Sequence, residues 1–156
     1  MILGITPGTR SCGFAVVREK EIRKWGVQSF KGKWSDGKLI SILYGLSKLM
    51  TRHRIREVAI KIPDTMPRSI GYAQLLGAMN ALFEQRGITV RYFTLSDLTR
   101  EHAPKKKINR QALFVSIVDL YPELLPLFRK EQKAKKPYYD KVFEAVASAH
   151  GCKPKK

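Results

Sequence analysis

Apolar positions recur along the chain at two spacings, and the switches between them lay out its elements. Ile2, Leu3 and Ile5 form a short strand that runs into the turn Thr6-Pro7-Gly8-Thr9. Pro7 presets its own φ and pushes Thr6 into extended backbone, so Thr6 is the expected last residue of the strand. Gly8 is the expected source of any positive φ the turn needs. A second strand runs from Gly13 to Val17. A third runs from Glu21 to Phe30, with Ile22, Trp25, Val27 and Phe30 as its apolar members. Connections this short predict an antiparallel meander.

The period then changes. Leu39, Ile42, Leu43, Leu46, Leu49 and Met50 trace one stripe of a helix capped by Ser35 or Asp36 and running to Arg52. Glu57 to Ile62 reads as a buried strand, reached by a crossover and lying beside the first. Ser69 caps a second long helix that ends near Arg86 and is closed by Gly87. Its stripe is Tyr72, Leu75, Leu76, Met79, Leu82 and Phe83, while Gly71, Ala73, Gly77 and Ala78 would let another backbone approach closely. Ile88 to Phe93 alternates as a fifth strand. Thr94 to Ala103 is a short helical turn, Asn109 caps a helix through Tyr121, and Pro122 to Pro126 interrupts. Tyr138 to His150 is the final helix, with Tyr139, Val142, Phe143, Val146 and Ala149 as its stripe. The order βββαβαβ, then helices, predicts an α/β fold with a mixed five-stranded sheet flanked by helices. It forms a single domain over residues 1–156.

Charge narrows the partners. Lys and Arg number 30 against 13 Asp and Glu, a net charge of +17. Polyanions are the natural ligands, nucleic acid first among them. No helix joins a broad apolar face to a strongly basic one, no apolar run reaches membrane-spanning length, and the N-terminus lacks a signal pattern. The expectation is a cytoplasmic protein with no membrane partner. Lys105, Lys106 and Lys107 make an exposed basic loop. Residues 127–136, with Arg129 and Lys130, form the most basic segment and are expected to be mobile, and residues 152–156 form a basic tail. These cations are candidate phosphate contacts; the plainer alternative is a solvated surface. Trp34, in a basic loop, either caps the core or offers a stacking face, and the capping role is favoured. Cys12 and Cys152 are far apart with no ligand spacing around them, so free thiols are expected and zinc or thiol chemistry is not.

One stretch carries more than pattern. Gly4-Ile5-Thr6-Pro7-Gly8-Thr9-Arg10, followed by Gly13-Phe14-Ala15-Val16-Val17, resembles the opening of RuvC-type Holliday-junction resolvases, in the RNase H-like superfamily. The resemblance extends to Glu57–Lys61 and Lys141–Ala149, and so over nearly the whole chain. It implies an RNase H-like fold, Mg²⁺-dependent endonuclease chemistry on branched DNA, and a homodimer. It also implies four acidic or metal-compatible side chains: one ending the first strand, one ending the fourth, and two a turn apart on the last helix. Hard divalent cations take such oxygen ligands. Here those positions hold Thr6, Lys61, Lys141 and Glu144.

Two lysines against one glutamate reverse the sign of such a site. A lysine about 4 Å from a divalent cation is repelled by on the order of 8 kcal/mol at an effective dielectric of about 20. The residues therefore favour a catalytically degenerate member of the family, a pseudoenzyme that binds nucleic acid, DNA over RNA. It needs no metal or small-molecule cofactor, and Lys61 and Lys141 stand as built-in cations for phosphate. Two alternatives stay open. One is a Mg²⁺-dependent, structure-specific endonuclease whose ligands have shifted to Asp64 and Asp140 beside Glu144. The other is an interaction or scaffold homodimer in DNA repair or replication.

Overall fold

Strand alternation decides the architecture of the computed structural model, which describes residues 1–102, 109–135 and 138–152. β1 (Ile2–Thr6), β2 (Ser11–Arg18) and β3 (Glu21–Ser29) form the antiparallel meander. β4 (Glu57–Lys61) lies parallel to β1, and β5 (Thr89–Phe93) parallel to β4, in the order β3-β2-β1-β4-β5. This is the mixed five-stranded sheet the pattern predicts, with Thr6 as the last residue of β1. The helices are α1 (Asp36–Arg52), α2 (Ile70–Gln85), α3 (Leu95–His102), α4 (Arg110–Leu120), α5 (Leu125–Lys133) and α6 (Asp140–Gly151). Ser35, Ser69 and Asn109 each accept a backbone N–H in the first turn of α1, α2 and α4, so all three expected caps are in place.

Successive strand residues take opposite faces of the sheet. Leu3, Ile5, Cys12, Val16, Val58 and Ile60 pack with Ile42, Leu46 and Met50 of α1 and Leu75, Met79 and Phe83 of α2. Ala15 and Val17 face the other way, onto Leu98 of α3, Leu113 and Ile117 of α4, and Val142, Phe143 and Val146 of α6.

α6 departs from the expected single stripe. Val142 through Ala149 are all buried, eight residues in succession. The cause is its place: α6 lies on β1, β2 and β4 with α3 and α4 against its other sides. Its backbone rests on glycine. A Cβ at Gly4 would overlap the Ala145 carbonyl oxygen, and one at Gly13 would come 2.5 to 2.7 Å from Lys141 Cβ, C and O.

Two further expectations change. Positive φ among the described residues falls at Glu19, Gly32, Arg54 and Gly87, not at Gly8. Pro122 and Pro126 start elements rather than break one: Pro122 opens a 3-10 turn and Pro126 sits in the first turn of α5. Residues 125–133 form α5, whose Leu127 is buried in the α4–α6 core beside Leu124 of the preceding turn. Lys105, Lys106, Lys107, Lys136 and residues 153–156 lie outside the described residues. Trp34 takes the capping role: it packs on the α1–α2 core, and its Nε1 donates to Gln74 Oε1 at 3.0 Å. Cys12 and Cys152 are buried free thiols. No helix among the described residues is long and apolar enough to cross a membrane.

Candidate active-site cluster

β1 and β4 run parallel in a register that pairs Ile5 with Ile60, so the next residues, Thr6 and Lys61, end the two strands side by side. Alternation turns both toward α6. That helix presents Lys141 and Glu144 one turn apart. The fold therefore brings together all four positions that the family resemblance marks.

Their chemistry is that of a closed internal cluster. Lys61 Nζ stands 2.7 Å from Glu144 Oε2, with side-chain exposures of 12% and 2%. The contact lies outside hydrogen-bond geometry, so Oε2 is met by charge alone. Thr6 Oγ1 donates to the Lys141 carbonyl oxygen at 2.9 Å. The Lys141 side chain turns toward the β1–β2 connection, where Nζ donates to the Ser11 carbonyl oxygen. A Cβ at Gly8 would collide with both Nζ and that oxygen, so Gly8 is required as a seat for an ammonium and not for its φ. Burial pushes the Lys141 pKa down; Cys12, Asp140 and Glu144 push it back up, and Lys61 adds to the lowering.

A third cation belongs to the cluster. Arg110, the first residue of α4, places Nη1 3.6 Å from Asp140 Oδ2 and Nε 3.9 Å from Glu144 Oε1, with the side chain 46% exposed. Nothing in the local sequence marks it beyond its position after the Asn109 cap. The remaining carboxylates, Asp64 and Asp140, have partners of their own. Asp64 Oδ1 accepts from Ser96 Oγ at 2.8 Å, and this bond holds its carboxyl below the usual carboxylate range, with Lys61 a smaller influence in the same direction. Asp140 is held by Arg110. Among the described residues, no three His, Cys, Asp or Glu side chains come together as a metal-holding group.

The magnesium that the resemblance implies does not fit this donor set. The Thr6 hydroxyl donates to a peptide carbonyl, and both oxygens of Glu144 face cations. An ammonium stands where a hard cation would need an oxygen. Arg129 and Lys130, the candidate phosphate contacts on α5, are exposed, and Lys130 Nζ lies 5.6 Å from the centre of the Tyr139 ring. The same end of α5 and Arg110 border a cavity of about 270 Å³ that also includes Phe114, Phe128 and Asp140.

A sheet in this order, with the marked positions at the adjoining ends of β1 and β4 and facing the last helix, defines an RNase H-like fold. The chain belongs to the RuvC family: residues 2–122 match the family described as crossover junction endodeoxyribonuclease RuvC. It is 35% identical over 140 residues to the crossover junction endodeoxyribonuclease RuvC of Campylobacter curvus, covering 81% of this chain and 87% of that protein. To the RuvC of Aliarcobacter butzleri it is 36% identical over 64 residues, which span 38% of this chain and 42% of that protein. Its fold matches Thermus thermophilus RuvC in complex with Holliday junction substrate at a TM-score of 0.72 and 17% identity, over 95% of this chain and 89% of that one. Fowlpox virus resolvase, solved with Holliday junction DNA, matches at 0.55 and 10% identity, over 97% of each chain.

Proposed function

We propose that this chain is a RuvC-family protein that grips branched DNA without cutting it through a divalent metal. One observation carries the reading: the Lys61 ammonium, 2.7 Å from Glu144, takes the place a metal ion would need beside the one retained acid. The net charge of +17 supports a nucleic-acid partner, and relatives of the same fold were solved on Holliday junction DNA. Lys61 and Lys141 add positive field from inside the protein. The exposed Arg110, Arg129 and Lys130 reach phosphate oxygens, joined on sequence grounds by Lys105, Lys106 and Lys107. The chain pairs as a homodimer through the outer face of α2. There Ile70 is 76% exposed, and a Cβ at Gly77 would meet nothing within 4 Å.

Calorimetric titration with Mn²⁺, together with incubation on four-way junction DNA with Mg²⁺ or Mn²⁺, tests the reading. The expected result is junction binding with neither metal uptake nor incision. Tight Mn²⁺ binding with specific cuts overturns it. Lys61→Glu and Lys141→Glu test the internal cations separately: unchanged junction affinity in both variants removes them from the binding account.

A further inference from the structure

The face of the sheet opposite α6 holds a groove. It lies between α1 and the edge strand β3. Lys24, Gly26 and Gln28 pair with Val16, Phe14 and Cys12 across the strands and so share the α1 side. The Phe14 ring lies across Gly26, where a Cβ would come within 2.9 Å of Cε1 and Cζ. On the helix, the facing residue is Gly45, whose Cβ would have only Gln28 Oε1 near it, at 3.6 Å. Gly45 thus leaves open space in a cavity of about 620 Å³ between helix and strand, with Phe14 held against Gly26 as part of its wall.

The lining of that cavity has two parts. Phe14, Ile42, Leu46 and Leu49 make an apolar trough, and Lys24, Lys48 and Arg52 flank it with no Asp or Glu among the lining residues. None of these three cations forms an ion pair within the described residues. Lys48 instead lies 4.4 Å over the Tyr44 ring. Three unpaired like charges around an apolar trough call for a ligand that is both anionic and hydrophobic. A duplex backbone supplies the phosphates but nothing to fill the trough. A second copy, with 13 acidic residues against 30 basic ones, has few carboxylates to set against these three cations.

We infer that this groove receives an acidic peptide segment of a partner protein. The segment lays a hydrophobic side chain against Phe14 and Leu46 and sets its carboxylates on Lys24, Lys48 and Arg52. This is helix- or strand-in-groove recognition with a charged rim, in which the trough sets affinity and the cations set the partner's sign.

Fluorescence anisotropy of the full chain with a fluorescein-labelled peptide ending Asp-Asp-Leu-Phe tests it. Saturable binding is expected, weakened about tenfold or more by Lys48→Glu with Arg52→Glu, and equally by Gly45→Leu, which fills the trough. Exchanging the acids of the peptide for lysine, or its Phe for Ser, is expected to abolish binding, while four-way junction affinity of the Gly45→Leu variant stays at wild type. No saturation below about 100 μM, or equal affinity in all variants, overturns the proposal. So does competition by junction DNA with a matching loss of DNA affinity in Gly45→Leu. Concentration-dependent self-association that Gly45→Leu removes would assign the groove to a second copy and likewise overturn it.

Discussion

The Thr6 hydroxyl donates to the Lys141 backbone carbonyl oxygen at 2.9 Å and so ties the end of β1 to the first turn of α6. An ionised carboxylate at this position has no proton to donate and would face a carbonyl. Thr6→Asp alone is therefore expected to destabilise the fold by about 1–3 kcal/mol, read from urea unfolding, while Thr6→Ser stays near wild type. Equal stability of all three proteins would show that the bond contributes nothing.

Lys61 is the closest counter-ion of a glutamate that is 1% exposed. Lys61→Met leaves the more distant Arg110, at 3.9 Å, as the ion-pair partner of that charge among the described residues. A loss of about 3 kcal/mol is expected, because breaking one side of a buried pair costs more than the pair is worth. Adding Glu144→Gln should recover most of it. A double variant no more stable than Lys61→Met would assign the loss to packing of the lysine stem instead.

On the proposed reading, charge rather than frame geometry keeps a metal out. The combined variant Thr6→Asp, Lys61→Glu, Lys141→Asp is expected to bind Mn²⁺, seen as heat on titration and as a rise in Tm with added metal. A folded variant that shows neither would place the obstacle elsewhere, with Arg110 the first residue to remove.

Phosphate contacts leave a signature in salt. Each contact that Arg110, Arg129 and Lys130 make should contribute about 0.9 to the slope of log affinity against log salt for duplex arms. Replacing all three with Ala is expected to lower the slope of junction binding by about 2 to 3. An unchanged slope would exclude this surface from the DNA path.

His102 makes the fold sensitive to mild acid. Its Nε2 lies 3.2 Å from the Ala147 carbonyl oxygen, and burial pushes its pKa below the ordinary 6.5, against smaller upward effects from that bond and from Glu101. The folded state thus resists the proton that the unfolded chain accepts. Stability should fall as pH drops from about 6.5 through the folded value, then level off. His102→Gln is expected to flatten the pH dependence of Tm across that window; an identical profile would exclude this histidine.

Much of the fold was legible in the order of apolar spacings, because each strand and helix draws its pattern from residues close in sequence. Ser35, Ser69 and Asn109 announce helix starts locally, and Pro7 marks the end of β1. Contacts made across long separations were not legible. The full burial of α6 follows from α3 and α4 covering its outer sides, which its own residues cannot express. Gly8 read as a turn glycine because the ammonium it seats arrives from position 141. Arg110 is silent in the sequence for the same reason: its acids lie at 140 and 144, and only the packing of α4 against α6 brings them into range. The partner of Asp64 is likewise distant in sequence: Ser96 lies 32 residues further along the chain.

Gly4 and Gly13 hold α6 at a distance set by main chain against main chain. The separations among positions 6, 61, 141 and 144 are therefore indifferent to what those side chains are. A lineage could exchange acids for bases there, or bases for acids, while the architecture underneath stays put. What such a protein does to its ligand can drift far faster than how it is built.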